Sequence, residues 1–196
     1  MRRLLSVLKK IKNILKQESI QKSGEEKMRL LELILKLASR RKKMFGLFVI
    51  FGWEDRWNEY AVLSDSSQDI FFKGRTNIFD EESLQKIAAT VDFDGAILVD
   101  RKGNILHSGV IIEGLRPTKL PSVVASTKKE GDLSTRLGFR VKVHARHIAA
   151  ITSSYKFRGT VAYTVSEETG DVHVFENGKI VFSTAKGGAD ELNKWS

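Results

Sequence analysis

Three short segments carry side chains that could do chemistry: Asp94-Gly95-Ala96, Arg146-His147 and Ser166-Glu167-Glu168. Asp94 and a carboxylate of the glutamate pair are hard oxygen ligands for a divalent cation, and Gly95 lets a ligand come close to the backbone. Arg146 and His147 stand at the predicted start of a helix. Unpaired backbone N–H groups and a positive dipole end lie there, so guanidinium, imidazole and backbone could converge on phosphate oxygens. A metal, cationic clamps and an oriented hydroxyl are the parts that phosphoryl transfer needs. Taken singly, each segment also has a plain structural role: a turn for Asp94-Gly95, a partly buried histidine for His147, a polar hairpin loop for SEETG.

Other chemistries lack their residues. The chain shows no phosphate-binding P-loop, no GxGxxG fingerprint, no GxSxG elbow and no HExxH zinc pair. With four histidines and no cysteine, a transition-metal site, a thiol nucleophile and a disulfide framework are disfavoured, and a reducing cytoplasm suits the composition. His107, His144 and His173 look dispersed, and His144 with His147 at i, i+3 lacks a third ligand.

The elements that must position these residues follow from periodicity. The chain has 196 residues, 41% of them hydrophobic, which is enough to bury a core and excludes fibrous and disordered classes. Its 33 Lys+Arg against 24 Asp+Glu leave a formal charge of +9, a field that favours phosphate-bearing partners or anionic lipid. Much of the excess sits at Arg2, Arg3, Lys9, Lys10, Lys12 and Lys16 and at Arg40–Lys43. Lys9 and Lys10 interrupt the apolar core that a secretion signal would need, and the longest apolar run, Met44 to Gly52, is far short of the roughly 20 residues of a spanning helix. A protein that is soluble, or at most surface-bound through residues 1–16, is expected; packing of that basic helix on a neighbour is favoured over the membrane surface.

Leu4, Leu8, Ile11 and Leu15 share a helical face, and a second helical segment over about 25–43 carries Met28, Leu31, Leu35 and Ala38, widened by Leu30, Leu33, Ile34 and Leu37. The two predict an N-terminal helical hairpin. From Leu47 the period shortens, and LFVIF, YAVL and IFFKG read as strands. Asp80 reads as an N-cap before Leu84, Ile87, Ala88 and Val91. FDGAILVD, RKGN and ILHSGVII read as strand, turn and strand; ARHIAAITSSYK as a helix; and GTVAYTV, DVHVF and KIVFS as strands, with Asn177-Gly178 closing the last hairpin. This order predicts an α/β fold: a mixed β-sheet flanked by helices, with residues 1–43 as a helical appendage and 44–196 as the main domain.

With all three segments in order and strand-like flanks around them, DGAILVDRKGNILHSGVII, ARHIAA and VAYTVSEETGDVHVFENGKIV resemble the diadenylate cyclase (DAC) domain, whose marks are DGA, Arg-His-Arg and Ser-Glu-Glu. The resemblance runs from about residue 80 to residue 183. It implies an enzyme that joins two ATP molecules into cyclic di-AMP with release of two pyrophosphates, using magnesium, manganese or cobalt, where two domains meet face to face. It further implies that Asp94 binds metal and activates the ribose 3′-hydroxyl, and that Gly95, Ala96 and Ile112 line the nucleotide. Arg146 and His147, flanked by Ala145 and Ile148, would hold the triphosphate, with His147 also reaching the metal. Ser166 and Glu167 would contact substrate, and Glu168 metal.

The family usually writes Gly-Thr-Arg-His-Arg where this chain has His144-Ala145-Arg146-His147-Ile148. A hydroxyl and a guanidinium fork are thereby missing. A nucleotide-binding regulatory module on the same fold is therefore the alternative to a cyclase. A basic nucleic-acid-binding protein, supported only by the charge, comes third, because no nucleic-acid-binding motif is present. On the cyclase reading two active faces must meet, and a homo-oligomer assembled through residues 1–43 is the expected way of presenting them.

Overall fold

The computed structural model describes residues 24–41, 43–117 and 145–185. The first predicted helix, residues 4–15, and His144 lie outside them. Helix α1 spans Gly24–Arg40, with Glu25 and Glu26 in its first turn and Arg40 in its last, the charge order that its dipole favours.

Among the described residues an eight-stranded mixed sheet follows, built from β1 (Leu47–Phe51), β2 (Ala61–Leu63), β3 (Thr76–Asn77), β4 (Ala96–Val99), β5 (Asn104–Ile112), β6 (Val161–Val165), β7 (Val172–Glu176) and β8 (Lys179–Ser183). Its order is β2-β5-β4-β1-β6-β7-β8, with β3 also on β5. Among the described residues only β1 and β4 pair in parallel.

Both faces of the central strand are covered, which is why LFVIF has no polar residue. Leu47, Val49 and Phe51 join one apolar cluster and Phe48 and Ile50 the other, by simple alternation along the strand. Helix α1 closes the first face with Leu30, Leu31, Leu33, Ile34, Leu35 and Leu37. Helix α3 (Ala145–Lys156) closes the second with Ala150 and Ile151, while α2 (Ser83–Ala89) adds Ile87 to the first. A buried ion pair from Lys27 Nζ to Glu176 Oε1 at 2.9 Å, and a hydrogen bond from the Tyr163 hydroxyl to the Lys27 carbonyl at 3.1 Å, tie α1 to β7 and β6. Helix α1 thus spends its apolar stripe on its own sheet.

Three local expectations change. IFFKG, residues 70–74, is a turn and not a strand: Asp69 Oδ1 accepts the Phe71 N–H, Gly74 N–H reaches the Phe71 carbonyl, and the paired segment is Thr76–Asn77 further on. Asp80 does not cap the helix. Its Oδ2 accepts the Asn77 N–H, and α2 begins at Ser83. The strand read over FDGAILVD starts at Ala96, so Asp94 and Gly95 form a bend at its mouth. The hairpin at Asn177-Gly178 stands as read, both residues having positive φ (52° and 75°), as a type I′ turn requires.

Candidate active site

Register brings the three segments to one end of the sheet. Val49 lies opposite both Ile97 on β4 and Tyr163 on β6, so the start of β1 is flanked by Gly95 on one side and Val165 on the other. Two strand spacings separate those flanks, about 10 Å. Ile112 reaches the same end, because Ala96 pairs with Val110. It is half-buried in the cluster that holds Tyr60 and Ala61.

Asp94 is exposed at the bend, and its N–H is held by Gln68 Oε1 at 3.0 Å. Gly95 has φ +85°, and a Cβ there would strike the backbone of Val110. Asp94-Gly95 is therefore both a bend and a place of close approach, which only glycine allows. Ala96 is fully buried in β4.

Opposite, Arg146, His147, Val165, Ser166, Glu167 and Glu168 line a cavity of about 300 Å³. Asp94, Gly95, Ala96 and Ile112 are not in that lining. Arg146 Nη1 donates to Glu167 Oε2 at 2.7 Å across the mouth. Its guanidinium lies against Gly46, where any Cβ would overlap it. Ser166 is buried at the base of the SEETG turn: its Oγ accepts the Thr169 N–H at 3.3 Å, and its carbonyl accepts the Gly170 N–H at 2.8 Å. Ala145 is exposed at the helix start, while Ile148 packs into the second apolar cluster and so belongs to the core.

His147 is buried, its ring edge-on to His173 at 4.9 Å and to Phe175 at 6.3 Å. Burial lowers the pKa of His173, partly opposed by Asp171. His173, read from sequence as a dispersed histidine, is thus the neighbour of His147, joined to it by packing of α3 on β7 that spacing along the chain does not reveal.

Asp94, Glu167 and Glu168 are hard oxygen donors that suit magnesium or manganese, but no three potential ligands are gathered into a ready-made metal site among the described residues. That fits a cation held by one or two carboxylates and completed by substrate phosphates. Sequence reasoning missed two further residues. Gly46, directly ahead of a buried strand, carries the recognised signal for close backbone approach. Gln68 carries none, because its contact with Asp94 spans 26 positions.

Several known proteins resemble this chain in sequence or fold. A curated diadenylate cyclase from Methanocaldococcus jannaschii is 29% identical over 185 residues, covering 92% of this chain and 53% of that protein. The chain thus spans about half the length of that relative. A crystal structure from Bacillus cereus, described as a hypothetical membrane spanning protein, superposes with a TM-score of 0.51 at 19% identity, over 82% of this chain and 64% of that one. A double mutant of DacA from Staphylococcus aureus gives a TM-score of 0.47 at 21% identity, over 84% and 89%. Among the described residues no helix is long and apolar enough to cross a membrane. The model of the DAC family, described as DisA bacterial checkpoint controller nucleotide-binding, matches residues 36–180, well over half of the sequence, and this chain belongs to that family.

Proposed function

We propose that the protein is a metal-dependent diadenylate cyclase that condenses two ATP into cyclic di-AMP, at a contact between two copies facing each other. The observation that carries this reading is the convergence of the Arg146 and Ser166–Glu168 cavity with the exposed Asp94 carboxylate at one end of the sheet. Family membership supports it.

On this reading Arg146 leaves Glu167 to clamp the triphosphate, an exchange that costs little because an ion pair this exposed contributes at most about 1 kcal/mol. Asp94 faces the ribose of its own nucleotide and takes the 3′-hydroxyl proton as the 3′-oxygen bonds to the α-phosphorus of the facing ATP. The bond from that phosphorus to the β-phosphate oxygen breaks, and pyrophosphate leaves. The same step in the other copy closes the ring. Asp94 and Glu168 would hold magnesium, manganese or cobalt, with His147 as a further candidate ligand. When bound, the cation neutralises triphosphate charge and acidifies the hydroxyl. Gly95, Ala96 and Ile112 would line the nucleotide, and residues 1–43 would set how copies meet in a cytoplasmic homo-oligomer.

Incubation of the purified chain with ATP and each metal in turn, with products separated by chromatography, tests the proposal. Cyclic di-AMP is expected; its absence with all three metals overturns the catalytic reading. Ile148 in the core, where the family has a second arginine, favours a second reading, nucleotide binding without turnover. Calorimetric binding of ATP with no product would select it.

A further inference from the structure

The loop 64–71 is fastened to β5 more densely than a surface connection needs, and its fastenings end on the catalytic bend. Strand β5 carries a bulge: Ala96 pairs with Val110 but Leu98 pairs with His107, so Ser108 and Gly109 together face one residue of β4. Bulges re-aim side chains and recur beside active sites. Here Ser108 is turned into the loop. Its Oγ donates to the Gln68 carbonyl at 2.6 Å and accepts the Ile70 N–H at 3.2 Å. The buried Asp69 carboxylate accepts the Ser108 N–H at 3.1 Å and meets His107 Nδ1 at 2.7 Å. Ser64 N–H donates to the Gly109 carbonyl at 2.9 Å.

All of this positions one side chain. Gln68 lies across Gly109, which has φ +68° and where a Cβ would come within 2.7 Å of the Gln68 Cβ. Its Oε1 accepts the Asp94 N–H at 3.0 Å and the Ser64 hydroxyl at 3.2 Å. Asp94 precedes a glycine with positive φ and lies just before β4 begins, so this bond restrains a residue that the strand ladder does not hold.

We infer that Gln68 is a positioning residue for Asp94: by holding the Asp94 N–H it fixes the direction of the carboxylate at the mouth of β4. The inference rests on the reading of Asp94 as the group that takes the 3′-hydroxyl proton. It acts on orientation and not on ATP binding, so kcat and KM should separate.

The test uses the full chain with manganese and ATP, comparing Gln68→Ala, Gly109→Ala and Asp94→Asn. Gln68→Ala should lower kcat about tenfold, in line with the sensitivity of catalysis to misplacements below 1 Å, with KM for ATP within about twofold. Gly109→Ala, which crowds Gln68 from the other side, should do the same. A readout independent of turnover is amide exchange followed by nuclear magnetic resonance: the Asp94 N–H should exchange about tenfold faster in Gln68→Ala, while core amides of β1 and β6 keep their rates. Equal Asp94 exchange in both proteins overturns the inference whatever the activity. Faster exchange with unchanged kcat overturns it as well. If Asp94→Asn keeps near-normal turnover, the reading of Asp94 itself fails, and the inference with it.

Discussion

The two ends of the sheet differ in a way that size does not predict. At the end where β1 and β4 finish, a cleft of about 690 Å³ is lined by Trp53, Glu54, Asp55, Asn58, Phe72, Arg75, Asp100 and His107 among others. At the opposite end the cavity beside Arg146 holds about 300 Å³. Most polar groups of the larger cleft are engaged in local structure. Asp100 closes its own turn onto Lys102 and Asn104, Asn58 accepts the Trp53 indole N–H, and His107 is tied to Asp69. The smaller cavity instead presents an arginine held by one exposed glutamate, beside an exposed aspartate at a glycine bend. Groups whose present partners are weak and solvent-screened can be recruited by a ligand; groups locked into turns cannot without unfolding them.

The contrast breaks most sharply at Asp94. Asp94→Asn keeps the shape and the N–H to Gln68, so the melting temperature should hold while cyclic di-AMP formation falls by about 10² to 10⁴; near-normal turnover would move the chemistry elsewhere. On the proposed reading Arg146→Ala removes a charged donor to phosphate worth about 1.5–3 kcal/mol, so KM for ATP should rise about tenfold or more. Calorimetric ATP affinity unaffected by this change would exclude Arg146 as the clamp.

A smaller effect concerns His173, which packs on the cavity residue His147. The folded state resists protonation of His173 below its ordinary pKa of 6.5, because the ring is desolvated against His147 and Phe175, with Asp171 only partly opposing. The unfolded chain takes up that proton first, so stability is lost as pH drops through about 6.5. Urea midpoints at pH 7.5 and 5.5 should therefore converge in His173→Phe relative to the parent; an equal drop in both proteins would assign the slope to other groups. The smallest change belongs to the larger cleft. Arg75 is exposed on its wall, and Arg75→Ala should leave turnover within about twofold. A tenfold loss there would make the larger cleft part of the machinery.

Much of this molecule is written in local chemistry. Alternation and apolar content place β1, β4, β6 and β7; the helix over 145–156 and the Asn177-Gly178 hairpin follow from period and turn stereochemistry. The three segments DGA, ARH and SEE could be named as a set because each residue type suits phosphate or metal by itself. IFFKG misled for the converse reason. Its aromatic run has strand composition, yet the Asp69 carboxylate two residues back and the Ser108 hydroxyl bind its backbone first, and the second of these lies nearby only once β5 is in place.

What tertiary structure alone decided is which of these residues meet. Parallel pairing of β1 with β4, and antiparallel pairing with β6, bring Gly95 and Val165 to the same end of the sheet although 70 positions separate them in the chain. Packing of α3 on the sheet sets His147 beside His173 and lays Arg146 on Gly46, and the bulge in β5 carries Gln68 to Asp94. Sequence determines propensity residue by residue because sterics and hydrophobic period are local; contacts across a sheet depend on strand order and register, which are settled by the burial of both faces at once.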